Sequence, residues 1–135
     1  MPKITVSATI NAPAEKVWNY YTEPAHIMQW NNASPDWHSP SAVNDLRVGG
    51  NFSFRMEAKD GSAGFDFAGT YTEVLPMQKI VYTFGDRNAE VTFDAKGSET
   101  IVTVAFDPES ENSLELQQGG WQAILDNFKK HVETM

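Results

Sequence analysis

The sequence predicts an α+β domain in which a curved antiparallel β-sheet wraps a long C-terminal helix, with two short helices after the first strand. Three features lead there. Residues 48–107 form a succession of short segments of alternating apolar and polar side chains, separated by turn residues; this is the pattern of an antiparallel meander with one apolar face. Residues 121–132 carry an apolar stripe at helical spacing, as an amphipathic helix requires. The apolar face of the strands needs a cover, and that helix is the one element large enough to supply it.

The elements follow in order. Residues 3–10, Lys-Ile-Thr-Val-Ser-Ala-Thr-Ile, alternate strictly and predict a strand with Ile4, Val6, Ala8 and Ile10 on one face. Asn11-Ala12-Pro13 ends it. Asn is a good helix N-cap and Pro is tolerated in a first turn, so a helix over about 13–22 follows, with Val17, Trp18 and Tyr21 at helical spacing. Glu23-Pro24 breaks this helix, and a second short one covers Ala25 to Gln29. Residues 30–45 read as irregular, because Asn31, Asn32, Pro35 and Pro40 interrupt any period. Trp30 and Trp37 lie in that stretch, although loops normally run over the surface. These rings are expected to pack, either as a rim or lid over a pocket or as anchors of a long loop.

In the meander, Phe52, Phe54 and Met56 alternate with Ser53, Arg55 and Glu57, and Asp60-Gly61 is a strong two-residue hairpin signal. Centring the hairpin there sets Phe54 against Phe67, Met56 against Phe65, Phe52 against Gly69 and Arg55 against Asp66. Apolar meets apolar and charge meets opposite charge, as a correct register should. Tyr71 ends that strand, and Pro76-Met77 turns the chain. Ile80, Tyr82 and Phe84 form the next apolar face; Gly85-Asp86-Arg87-Asn88 turns again. Val91 and Phe93 follow, then a turn near Gly97-Ser98, then Val102, Val104 and Phe106. A six-strand meander is expected, of which these segments locate five strands.

The final helix runs from about Ser113 to Thr134, with Trp121, Ile124, Leu125, Phe128 and Val132 as its stripe. Lys129, Lys130 and His131 suit the negative end of the helix dipole. Gly119-Gly120 is costly inside a helix, which predicts a kink there or the close approach of another backbone.

A chain of 135 residues suits one domain spanning 1–135. Its 41% hydrophobic content indicates a packed core. The net charge of -8 disfavours phosphate backbones and anionic lipid surfaces, so neither nucleic acid nor membrane is an expected partner. With no cysteine, disulfides and thiolate chemistry are excluded. There is no apolar stretch of signal-peptide or membrane-spanning length, and a cytoplasmic location is expected.

Aromatic residues make up 12% of the chain, eight of them Phe. One helix cannot fill the space over a broad curved sheet, so part of the apolar face is expected to line a cavity. The residues assigned to it are Phe54, Phe67, Tyr71, Tyr82, Phe93, Trp121 and Leu125, with Gly69 leaving room and Trp30, Trp37 and His38 at the rim. Ligand sites are concave and mostly apolar with a few orienting polar groups; here those are the two Tyr hydroxyls and His38. The alternative is that the same rings fill a dry core. His26, His38 and His131 show no metal-ligand spacing, and no metal or cofactor is expected. No Gly-x-Ser-x-Gly elbow or phosphate-binding glycine loop occurs. Asp60, Asp86, Asp94, Asp107 and Glu109 read as solvated charges, and Asp36 and Asp45 flank His38 in sequence.

Ile-Asn-Ala-Pro-Ala-Glu-Lys-Val-Trp (10–18), Gly-Thr-Tyr-Thr-Glu-Val-Leu-Pro (69–76) and Gly-Trp-Gln-Ala-Ile-Leu-Asp-Asn-Phe (120–128) together resemble the activator of Hsp90 ATPase homologue-like family of the START/Bet v1-like (SRPBCC) superfamily. The resemblance covers essentially the whole chain. It implies a helix-grip fold with a deep cavity between the sheet and the terminal helix, and hydrophobic ligand binding as the usual role. It does not carry chaperone activation over, because the eukaryotic activators that resemble this domain have a separate N-terminal domain with no counterpart in these residues. The leading expectation is therefore a binder of a small, largely hydrophobic molecule, acting as a monomer or homodimer. The alternatives are a cyclase- or hydratase-type enzyme using His38 in the same cavity, and a cochaperone-like interaction module.

Overall fold

The structure, a computed structural model, describes residues 3–134. Strand β1 (Ile4–Ile10) is followed by helices α1 (Ala14–Thr22) and α2 (Pro24–Trp30). Six strands come next: β2 (Trp37–Asn44), β3 (Asn51–Ala58), β4 (Gly64–Leu75), β5 (Lys79–Phe84), β6 (Arg87–Lys96) and β7 (Glu99–Phe106). Helix α3 (Leu114–Thr134) ends the chain. All seven strands form one antiparallel sheet in the order β1-β7-β6-β5-β4-β3-β2. The meander is sequential from β2 to β7, and β1 closes back beside β7.

The period-2 pattern places the strands as expected. Val6, Ala8 and Ile10 of β1 are buried and their neighbours exposed. In β3–β4 the predicted pairs Phe54–Phe67, Met56–Phe65, Phe52–Gly69 and Arg55–Asp66 all form. The turn between them is longer than two residues: Ala58 N–H still bonds the Ala63 carbonyl. Gly61 then takes the left-handed φ of 79° while Asp60 accepts the Ser62 N–H. Strand β4 does not stop at Tyr71 but runs through an irregularity between Tyr71 and Glu73 to Leu75. Arg87 and Asn88 belong to β6 rather than to the turn, which Gly85 makes at φ 66°.

The sixth strand of the meander lies where an irregular loop was expected. Residues 37–44 pair with β3 despite Pro40. The ladder accommodates the proline because β2 is an edge strand and its register shifts between His38 and Ser41; edges and bulges are where sheets tolerate a missing N–H.

Two local expectations about helices change. Asn11 does not cap α1: the N-cap is Pro13 with no side-chain bond, and the Asn11 N–H donates to Glu133 at the far end of the chain. Helix α3 passes through Gly119-Gly120 without interruption, and a Cβ at either position meets nothing within 4 Å. No backbone approaches there; both glycines face open space. The Ser113 hydroxyl accepts the Leu116 N–H and starts the helix.

Helix α3 lies along β1. Its side chains take the carbonyls of that edge strand: Gln122 donates to Ser7 at 3.0 Å and Lys129 to Thr9 at 2.6 Å. Free edge acceptors are thereby covered, which blunts strand-to-strand association. The tightly packed core sits on this side, where Val17, Ile27, Val91, Val102, Phe106, Phe128 and Val132 are essentially inaccessible. With the helix held to one flank, the sheet around β3–β5 is left partly uncovered, and the cavity forms there.

Candidate ligand cavity

A cavity of about 270 Å³ lies between α3 and the concave face of the sheet. At about 30 Å³ per water-sized group, it has room for on the order of ten such groups. The inward residues of β3 and β4 supply the largest share of the wall, Phe52, Phe54, Met56, Phe65, Phe67 and Tyr71. Ile80 and Tyr82 extend it on β5, and Trp121, Ile124 and Leu125 close it from α3. Phe65 is 51% exposed and marks the opening. The rings are mutually packed: Phe52 lies 4.9–5.2 Å from Phe54, Tyr71 and Tyr82, and Trp121 stacks on Phe106 at 3.9 Å. Such packing makes the wall stiff.

Of the ten side chains assigned from sequence, Trp30, Phe54, Phe67, Tyr71, Tyr82, Trp121 and Leu125 line this cavity. Phe93 does not. It shares the inward parity but sits under α1, with Trp18 at 5.1 Å and Tyr21 at 5.5 Å from its ring, in the dry core. Trp37 and His38 are elsewhere too. They border a separate surface groove of about 430 Å³ with Met28, Pro35, Lys59 and Asn127. His38 pairs with Glu57 in the sheet, and Glu57 points outward; the imidazole is 45% exposed and 3.9 Å from that carboxylate. Parity, which the supposed loop concealed, is the reason for His38; Trp37 shares the inward parity of its partner Ala58 but stands at the very start of β2, its ring 6.0 Å from Phe65. Gly69 leaves no room in the cavity, because the ring of Phe52 occupies the space beside it. Trp30 is the loop Trp that reaches inside: it ends α2, donates its indole N–H to the Tyr20 carbonyl at 2.9 Å and packs on Phe128.

The polar lining consists of Tyr21, Thr22, Asn31, Tyr71, Tyr82 and Arg87. Tyr71 donates to Asn44 Oδ1 at 2.5 Å, and the Asn44 amide donates to the Thr22 carbonyl at 2.7 Å. This chain ties β4, β2 and α1 together at the back of the cavity. The buried Asn31 amide donates to the sulfur of Met56 at 3.2 Å. Burial pushes the phenols of Tyr21, Tyr71 and Tyr82 above their ordinary pKa. For Tyr71 and Tyr82 the neighbouring phenols add to the rise, while Asn44 and Arg87 respectively oppose it. At neutral pH these groups are therefore hydrogen-bond donors and not bases. Among the described residues the lining holds no carboxylate, imidazole or ammonium group, and no set of three or more His, Asp or Glu side chains is placed to hold a metal ion.

Of the polar lining, Tyr21, Thr22, Asn31 and Arg87 are not among the side chains assigned from sequence. Arg87 was legible in principle: counting back by twos from Val91 through Ala89 puts it on the inward face of β6. Tyr21 reads as a helix-face residue, but nothing in the pattern of α1 reveals that this helix faces the cavity.

The model of the family described as "Activator of Hsp90 ATPase homolog 1-like protein" matches residues 11–133. A solved AHSA1-like protein from Aeromonas hydrophila is 44% identical, with a TM-score of 0.92 over 98% of this chain and 92% of that one. A solved protein from Cytophaga hutchinsonii is 53% identical, with a TM-score of 0.85 over 98% and 92%. One from Nitrosomonas europaea, at 20% identity and a TM-score of 0.84 over 98% and 95%, shares the fold. Among curated proteins, none matches the chain. No helix among the described residues is long and apolar enough to cross a membrane.

Proposed function

The chain belongs to the activator of Hsp90 ATPase homolog 1-like family, and from that premise we propose that it binds a small, largely apolar molecule in the cavity between the sheet and α3. The observation that carries this reading is the cavity itself: about 270 Å³ walled by stiff aromatic rings, with a few converging donors. That is the composition of a ligand site. A core built only for stability would close such a void, since unfilled volume costs packing energy.

Binding would proceed through the opening beside Phe65. The apolar body of the ligand replaces water against Phe52, Phe67 and Trp121, gaining roughly 25 cal/mol per Å² of apolar surface removed from solvent. Tyr21, Tyr82 and Arg87 then orient its polar end. A cyclase or hydratase would have to work with phenol donors and one guanidinium, because His38 lies on the outer face. The chaperone partner in the family's name remains a separate proposal. It would act through the outer face, where Lys79 pairs with Glu73 and Glu90.

A thermal-shift and native mass spectrometry screen of small apolar compounds tests the reading. A true ligand raises the unfolding temperature by several degrees when in large excess over its Kd. Its effect disappears in Ile124→Trp, which fills the half-buried side of the cavity. The reading fails if no compound stabilises the protein, or if the Trp variant binds as well as the wild type.

A further inference from the structure

We infer, resting on the cavity-binding reading above, that the ligand is an amphipathic anion whose carboxylate head is held by Arg87 at the rim while its apolar body lies beneath α3. Arg87 lines the cavity. It opens β6 on the inward parity, opposite Phe84, and its guanidinium lies 4.4 Å from the centre of the Phe84 ring. The β3–β4 hairpin extends past the β5–β6 turn, since Thr70 already pairs with Thr83. Phe65, Phe67 and Arg87 therefore lie at the same end of the sheet.

The guanidinium has little else to do. Arg47 holds Asp45 at 2.9 Å and Arg55 holds Glu57 at 2.8 Å. Among the described residues Arg87 has no carboxylate within ion-pair distance; its hydrogen bond is a 3.4 Å contact to the Asp107 carbonyl. The Asp107 carboxylate is committed elsewhere, to Lys3 at 2.7 Å and to the Asn88 N–H at 2.8 Å. In a chain of net charge -8 with eighteen acidic residues, a cavity cation left without a carboxylate is a specific placement. Its field reaches into the cavity, where it opposes the upward shift of the Tyr82 phenol.

Planar guanidinium matches a carboxylate in two parallel charge-assisted bonds. A neutral ligand would leave that donor set unused, and a cationic one would be repelled by it. The volume of about 270 Å³ suits a short aliphatic or single-ring aromatic acid and is too small for a two-chain lipid.

Isothermal titration of octanoate, octan-1-ol and octylamine at neutral pH tests this. Octanoate should bind tighter than octanol by roughly ten- to a hundredfold, the range for hydrogen bonds to a charged group, and octylamine weakest. Arg87→Gln should bring octanoate to the level of octanol, and Arg87→Lys should keep part of the preference. Amide spectra of both variants confirm that they fold. Equal affinity for octanoate and octanol, tighter binding of octylamine, or a preference that survives in Arg87→Gln overturns the anion assignment and leaves the cavity reading standing. If octanoate does not bind while a neutral compound of the screen does, the anion assignment falls alone. If no screened compound binds, octanoate and octanol included, or Ile124→Trp leaves binding intact, the cavity reading falls and this inference with it.

Discussion

At the scale of single residues, the fold turns on a few positions where space decides identity. Gly69 is one. A Cβ there would be driven against the Thr83 carbonyl of β5 and would meet the Phe52 ring at 2.8 Å. Backbone cannot yield as a flexible side chain does, so Gly69→Ala should destabilise the protein by about 2–3 kcal/mol, the upper part of the overpacking range. Urea unfolding measures it, and a cost below ~0.5 kcal/mol would show that β4 and β5 separate freely. The sequence made Gly69 legible as an inward position opposite Phe52, but not as a filled one. Which of two inward residues takes a shared volume depends on rotamers across strands. The same holds for Tyr71: its parity was readable, whereas its bond to Asn44 required knowing that residues 37–44 form a strand.

At the scale of elements, α3 illustrates how a costly sequence survives. Gly119 and Gly120 lie inside a continuous helix, and a Cβ at either would meet nothing within 4 Å. Each lacks the side chain that would restrict the unfolded chain. Gly119→Ala and Gly120→Ala should therefore each stabilise by about 1 kcal/mol, seen as a higher urea midpoint; a loss of stability would reveal a contact formed in solution that this conformation lacks. The helix keeps its place through its ends and flank: the Ser113 cap, the bonds to Ser7 and Thr9, and the buried stripe of Leu125, Phe128 and Val132. Strand β2 is the opposite case. Its pairing is real but its sequence, Trp-His-Ser-Pro-Ser-Ala-Val-Asn, has no period because a register shift exchanges its faces midway. Pattern reading assumes one parity per strand, so a bulged edge strand is hidden from it.

At the scale of the whole molecule, the two chain halves meet at a pair of histidines. His26 Nδ1 and His131 Nε2 are 2.9 Å apart, joining α2 to the end of α3, with Tyr20 stacked on His26 and Glu23 3.6 Å from its other nitrogen. Burial, then the neighbouring His26 and Lys16, hold His131 below its ordinary pKa of 6.5. The unfolded chain therefore binds this proton more readily than the folded one, and stability rises with pH in that window. The contribution is complete above about 6.5 and is lost as pH falls through the depressed folded value. Asp107 and Glu133, held low by hydrogen bonds from Lys3 and Lys129, give up their contributions only below the ordinary carboxylate range, near 4, so the two windows separate. The urea midpoint should fall between pH 7.5 and 5 in the wild type and fall less in His131→Gln; equal slopes would refute the assignment. By itself the sequence determined the class of fold, the β3–β4 register, the helix stripe and most of the aromatic wall, because periodicity and turn chemistry act over neighbouring residues. Only the tertiary structure decided that the wall encloses a cavity on the β3–β5 side, that Phe93 is dry core, that His38 faces out and that Arg87 faces in. Those facts depend on where α1, α2 and α3 settle against the curved sheet. That placement is set by packing between residues a hundred positions apart, which no local pattern records.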